Sequence, residues 1–116
     1  MCVCAIYAHA GHLGNFEGKE KGMGEESRIE QLLVMKVKKM GGMAVKFISP
    51  GLDGVPDRLV LFPGGRCAFV ELKAPGKKMR PLQVKRKKQL ENLGFSVYMI
   101  DEIEKIGGML DEIQTT

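Results

Sequence analysis

The segment Cys67-Ala68-Phe69-Val70-Glu71-Leu72 constrains this chain more than any other. Side chains alternate across a β-strand, so a strand that is apolar at consecutive positions needs cover on both faces. Such a strand belongs in the interior of a sheet with packed layers on either side. The run ends in Glu71-Leu72-Lys73, and period-two alternation puts Phe69, Glu71 and Lys73 on one face, Val70 and Leu72 on the other. A carboxylate at the end of a doubly covered strand is costly to bury unless it is paired or bound to a metal.

The surrounding segments predict what covers that strand. Ile29, Leu32, Leu33, Val37 and Met40 recur at spacings of three and four, which marks a helix from Glu25. Ser27 followed by Glu30 fits a capping box, and Gly41-Gly42 a helix stop. Ala44–Ile48 and Arg58–Phe62 read as strands, separated by a Gly/Pro turn over Ser49–Pro56. Pro63-Gly64-Gly65 reads as a hairpin turn leading into Cys67–Leu72. A basic loop, Ala74–Arg80, precedes a second helix from Pro81, tolerated at a first helical position, to Leu93. Gly94 closes it. Phe95–Ile100 is a fourth strand, and Ile103–Ile113 a last amphipathic helix interrupted in pattern by Gly107-Gly108.

The predicted order is therefore α-β-β-β-α-β-α. Short connections favour antiparallel pairing of the first three strands, and the crossing helix favours parallel pairing of the third and fourth. The expected fold class is α/β (α+β), a small mixed β-sheet flanked by helices. A chain of 116 residues supports one such core. It is assigned to residues 25–116, with residues 1–24 as a Gly-rich leader, flexible or outside the fold. Met23, directly before the first helix, is a candidate natural start. Cys2, Cys4, His9 and His12 lie in this leader, but their spacing does not match the usual structural zinc patterns. Cys67 is expected as a small buried hydrophobe. Three cysteines without regular spacing argue against a disulfide framework, and no segment is long or apolar enough for a bilayer span. A cytoplasmic setting is expected.

The formal net charge of +4 is unevenly spread. Lys73, Lys77, Lys78, Arg80, Lys85, Arg86, Lys87 and Lys88 hold eight of the eighteen basic residues, with no acidic residue among them. Such clustering fits either a polyanion-binding face or a solvated helix surface. Few aromatics and no tryptophan argue against base stacking as the main binding mode.

Asp57 follows Gly54-Val55-Pro56 and opens the second strand. By itself it fits a turn aspartate, and Glu71 with Lys73 fits an ion pair at a sheet rim. Taken together, Asp57 and Glu71 on neighbouring strands would repel unless a cation sits between them. Two carboxylates suit a hard divalent cation, and a lysine beside them completes a set able to hydrolyse a phosphodiester.

These residues resemble the PD-(D/E)xK nuclease superfamily. The longer run Lys46-Phe-Ile-Ser-Pro-Gly51, Gly54-Val-Pro-Asp-Arg58, Phe69-Val-Glu-Leu-Lys-Ala-Pro-Gly76 and Pro81-Leu-Gln83 is similar to its VRR-NUC branch, especially the small stand-alone members of phages and bacteria that resemble Holliday junction resolvases. The resemblance covers roughly residues 25–101 and implies a restriction-endonuclease-like core. It implies that Asp57 and Glu71 bind Mg²⁺ or Mn²⁺, with the backbone carbonyl of Leu72 as a third ligand. It implies that Lys73 orients or helps deprotonate the attacking water and neutralises phosphate charge. It implies a glutamate from the first helix, for which Glu26 and Glu30 both fit, and a glutamine matched by Gln83. The implied activity is a homodimeric, metal-dependent endonuclease for branched DNA, including four-way junctions, in DNA repair. Lys77, Lys78, Arg80, Lys85, Arg86, Lys87 and Lys88 would contact DNA. The apolar edge of the first helix and the hairpin at Pro63–Arg66 are candidate dimer faces. The alternatives are a non-catalytic basic nucleic-acid-binding module and a general or restriction-type DNA nuclease.

Overall fold

Strand Cys67–Leu72 (β4) is buried from Ala68 to Leu72 and has a neighbour on each side. A computed structural model of the protein describes residues 6–7 and 24–115. The helices are Glu25–Lys39 (α1), Pro81–Asn92 (α2) and Glu104–Thr115 (α3). The remaining strands are Ile6–Tyr7 (β1), Met43–Phe47 (β2), Arg58–Leu61 (β3) and Val97–Ile100 (β5). The sheet order is β1-β2-β3-β4-β5. β2, β3 and β4 pair antiparallel, and β5 joins β4 in parallel after the α2 crossing. The mixed sheet flanked by helices is the expected one. The short pairing of Ile6–Tyr7 with Lys46 and Phe47 is an additional strand that the apolar pattern does not mark. Cys2, Cys4, His9, His12 and Met23 lie outside the described residues.

The two faces of the sheet are unequal. Val70 and Leu72 point into a cluster of fourteen buried residues that includes Ile29, Leu33 and Val37 of α1 and Ile106, Leu110 and Ile113 of α3. Phe69 points the other way, into a cluster of four with Val45, Leu59 and Val97, edged by Leu90 of α2 and by Phe95. A buried aliphatic side chain contributes about 1.5–3 kcal/mol, so the α1/α3 face supplies most of the cohesion. The α2 face is left with room for polar groups. Cys67, at the entry of β4, is half-buried rather than fully enclosed.

Helix ends explain most shifts in element bounds. α1 starts at Glu25 behind Gly24, so Ser27 lies inside the helix and does not cap it. Glu30 spends its carboxylate on Arg58 instead of on the helix end. At the other end, the Gly42 amide bonds to Val37 O and the Gly41 amide to Lys38 O, a Schellman stop with Gly41 at φ 85°. The same device ends α2: the Phe95 amide bonds to Leu90 O and the Gly94 amide to Glu91 O. Phe95 is consumed by that stop, so β5 begins at Val97. In α3, Ile106, Met109, Leu110 and Ile113 are buried while Gly107 and Gly108 face solvent. The glycine pair therefore leaves the apolar stripe unbroken. Among the described residues no helix is long and apolar enough to cross a membrane.

Gly42 and Gly108 give opposite expectations. A Cβ on Gly42 would clash with the Leu61 carbonyl oxygen, whereas one on Gly108 meets nothing within 4 Å. Gly42→Ala should destabilise the protein by about 2 kcal/mol through overpacking against backbone. Gly108→Ala should stabilise it by about 0.5–1 kcal/mol through helix propensity. Urea midpoints of the two variants check both signs.

Candidate active site

The β3–β4 hairpin brings Asp57 and Glu71 together. Its register pairs Arg58 with Val70 and Leu59 with Phe69. Carried one step further, the same register sets Asp57 opposite Glu71. The separation of these carboxylates in sequence is thus a hairpin length, and antiparallel pairing converts it into proximity. Asp57 Oδ2 accepts a hydrogen bond from the Leu72 amide at 3.1 Å, which ties it to the outgoing end of β4.

Glu71 is 1% exposed. Its Oε2 accepts from Gln83 Nε2 at 2.6 Å and lies 3.3 Å from Lys73 Nζ. Gln83, also buried, has a defined amide orientation. Its Oε1 accepts the Arg80 backbone N–H at 2.8 Å, so its amino group is the end left to face the carboxylate. Glu71 Oε1 is buried and has no hydrogen-bond partner among the described residues. A buried carboxylate oxygen without a donor is costly and calls for an explanation, of which a bound cation is one.

The electrostatics point the same way. Burial pushes the Glu71 carboxyl above its ordinary value, the negative charge of Asp57 pushes it further, and Lys73 opposes both. Asp57 is also raised, first by partial enclosure, against the pull of the Leu72 amide and Lys73. Both carboxyls resist ionisation, Glu71 in part through the charge of Asp57 and Asp57 in part through that of Glu30, an electrostatic deficit that a divalent cation would relieve. Among the described residues no group of three or more Asp, Glu, His or Cys side chains converges on one point. The donor set of two carboxylates suits Mg²⁺, which usually keeps several waters and takes one or two protein carboxylates.

Glu26 and Glu30 both line a cleft of about 310 Å³ that Asp57 and Leu72 share with β2. Their situations differ. Glu30 Oε2 is held by Arg58 Nε at 3.0 Å and Nη2 at 2.7 Å, and Arg58 Nη1 also donates to Ala44 O. This ion pair pins α1 to the sheet. Glu26 is exposed in the first turn of α1, makes no hydrogen bond or ion pair with a described residue, and its charge adds to the upward push on Glu71.

The basic stretch divides as well. Arg86 Nε donates to Asp53 O at 2.7 Å, clamping α2 to the turn that carries Asp57. Leu82 packs on Gly54 of that turn, where an added Cβ would lie 2.8 Å from Leu82 Cγ. Lys87 pairs with Glu91 at 2.9 Å. Lys77, Lys78, Arg80, Lys85 and Lys88 are exposed. Two residues near the carboxylates were given no role by their sequence pattern, Arg58 and Lys46. Strand alternation turns Arg58 away from the Asp57 side, and only the packing of α1 shows what it meets.

No family model matches the chain. It is similar to the protein named "Putative nuclease p44" of Acyrthosiphon pisum secondary endosymbiont phage 1, with 51% identity over 76 residues, 66% of this chain and 82% of that protein. A solved structure described as a VRR_NUC domain matches its fold with a TM-score of 0.72, over 77% of this chain and 97% of that one, at 24% identity.

The raised carboxyls dictate a pH dependence. A folded-state value above the unfolded one contributes stability that is fully present below the unfolded value and is lost as pH rises through the folded one. Metal-free protein should therefore lose the Asp57 and Glu71 contribution on going from acid to neutral pH. Asp57→Asn should flatten that segment of the profile, as measured by urea unfolding with chelator at a series of pH values. An unchanged profile would count against a raised Asp57 carboxyl and its push on Glu71.

Proposed function

The chain belongs to the VRR-NUC family of nucleases, and from that premise we propose that it is a Mg²⁺- or Mn²⁺-dependent endonuclease that hydrolyses phosphodiester bonds in branched DNA. The observation that carries this reading is the buried Glu71, with Oε1 unpartnered among the described residues, across the hairpin from Asp57 and within 3.3 Å of Lys73. Asp57 and Glu71 hold the cation in this reading, with the Leu72 carbonyl as a third oxygen. When bound, such a cation stabilises charge developing on the phosphate and lowers the pKa of its water. Gln83 holds Glu71 Oε2, and its own Oε1 is held by the Arg80 amide, so one carboxylate oxygen is fixed and Oε1 is left to bind. Lys73 Nζ neutralises a non-bridging phosphate oxygen and orients the attacking water. Of the α1 glutamates, Glu26 is the better candidate for an outer contact to the site, because Glu30 is committed to Arg58.

The substrate class is read as four-way junctions and related branches. A two-fold homodimer would present two such sites to opposed strands. Candidate dimer faces are the exposed hairpin Pro63–Arg66 and the apolar edge of α1, where Met35 is exposed. Exposed Lys77, Lys78, Arg80, Lys85 and Lys88 supply sequence-independent phosphate contacts in this reading.

The test uses a labelled four-way junction, a flap and a linear duplex, each with and without Mg²⁺ or Mn²⁺. Cleavage of the junction should require metal and fall at least ~10²-fold in Asp57→Ala and Lys73→Ala. Binding without metal-dependent cleavage would sink the enzyme reading in favour of a binding module, and equal cutting of linear duplex would remove the structure specificity. Gln83→Leu should lower the cleavage rate about 10–100-fold, as loss of a partner that orients a metal ligand does. Its metal titration should shift to higher concentration, which a purely structural role would not produce.

A further inference from the structure

Lys46 occupies a position on the cleft that the reaction scheme above leaves unused. It sits on β2 in register with Arg58 and lines the cleft with Asp57, Glu26 and Glu30. Register and alternation put Lys46, Arg58 and Ala44 on the α1 face of the sheet. Arg58 on that face is spent, since its guanidinium is bound to Glu30 and to the Ala44 carbonyl. Lys46 is exposed and forms no ion pair with a described residue. Among the described residues it is thus the uncommitted cation of a cleft whose other charged lining groups are carboxylates. The basic residues of α2 do not serve this side, because α2 packs on the opposite face, over Phe69 and Glu71.

A DNA strand that reaches Asp57 must pass this acidic wall. Glu30 is offset by Arg58, but phosphates brought against Glu26 and Asp57 are repelled unless a positive charge meets them. We propose that Lys46 binds a backbone phosphate of the DNA and seats the strand in the cleft on the α1 side of Asp57, so that the substrate is gripped from both faces of the sheet. The proposal rests on the nuclease reading above. It assigns Lys46 to substrate binding and separates it from Lys73, which acts on the reacting phosphate.

Two readouts on Lys46→Met, Lys46→Gln and Lys46→Arg test it. In single-turnover cleavage with Mg²⁺, the two neutral variants should raise the enzyme concentration for half-maximal rate about three- to tenfold and leave the maximal rate within about twofold. Lys46→Arg should restore wild-type behaviour, and Lys73→Ala should show the reverse split. In chelator, fluorescence anisotropy with the same DNA should give weaker binding and a salt slope smaller by about 1, the signature of one lost phosphate contact. Unchanged half-maximal concentration and salt slope in both neutral variants would overturn the proposal, as would loss of maximal rate alone. If wild-type protein cleaves no DNA, the nuclease reading fails, yet the anisotropy series still decides whether Lys46 grips phosphate.

Discussion

The Glu71 carboxyl group at the end of the buried strand is the group around which the rest of the structure is arranged. Taking a charge out of water costs several kcal/mol unless partners replace the lost hydration. Here Gln83 and Lys73 replace it at one oxygen and leave the other without a donor among the described residues. The arrangement requires α2 to arrive with Gln83 facing β4. It also requires the Arg80 amide to fix which end of the Gln83 side chain meets the carboxylate. Arg86 and Leu82 then fasten the same helix to the Asp53–Gly54 turn that leads into Asp57. One helix therefore positions both halves of the carboxylate pair.

The unequal faces of the sheet make this possible. The large cluster under α1 and α3 carries the cohesion of the domain. The α2 face, with only four buried apolar residues in its cluster, can accommodate a charged group and its polar partners. On the other face, the Arg58–Glu30 ion pair anchors α1 at the cleft, which Glu30 helps to line. Carboxyls raised together by burial and like charge are a common mark of functional sites. The fold and the 51%-identical phage relative place the chain among nucleases of the VRR-NUC type.

Much of this was legible along the chain. The consecutive apolar positions of Cys67–Leu72 announced a covered strand, and Gly41-Gly42 and Gly94 marked helix ends that the structure confirms. The spacing of Asp57 and Glu71 about the Pro63-Gly64-Gly65 turn was enough to predict their proximity, because a hairpin register is a local property. Other features were not local. Ser27 and Glu30 have capping-box spacing, yet Glu30 pairs with a residue 28 positions away. Phe95 has strand character, but its amide terminates α2. The Gly107-Gly108 pair looked disruptive because a residue pattern does not say which side of a helix is wet.

Sequence alone determined the order of elements from Glu25 onward, the mixed pairing of their strands and the nearness of Asp57, Glu71 and Lys73 at the end of β4, since alternation, turn chemistry and helical periodicity act over a few residues. Tertiary structure decided which of those charges are committed. Glu30 and Glu26 are indistinguishable by spacing and differ only because Arg58 reaches one of them. Arg86 and Lys85 are neighbours in one basic run, yet one clamps a turn and the other faces solvent. Lys46 was one lysine among many until the strand register set it on the acidic cleft beside Asp57. Charge commitment depends on distance between segments far apart in the chain, and only the folded sheet sets that distance.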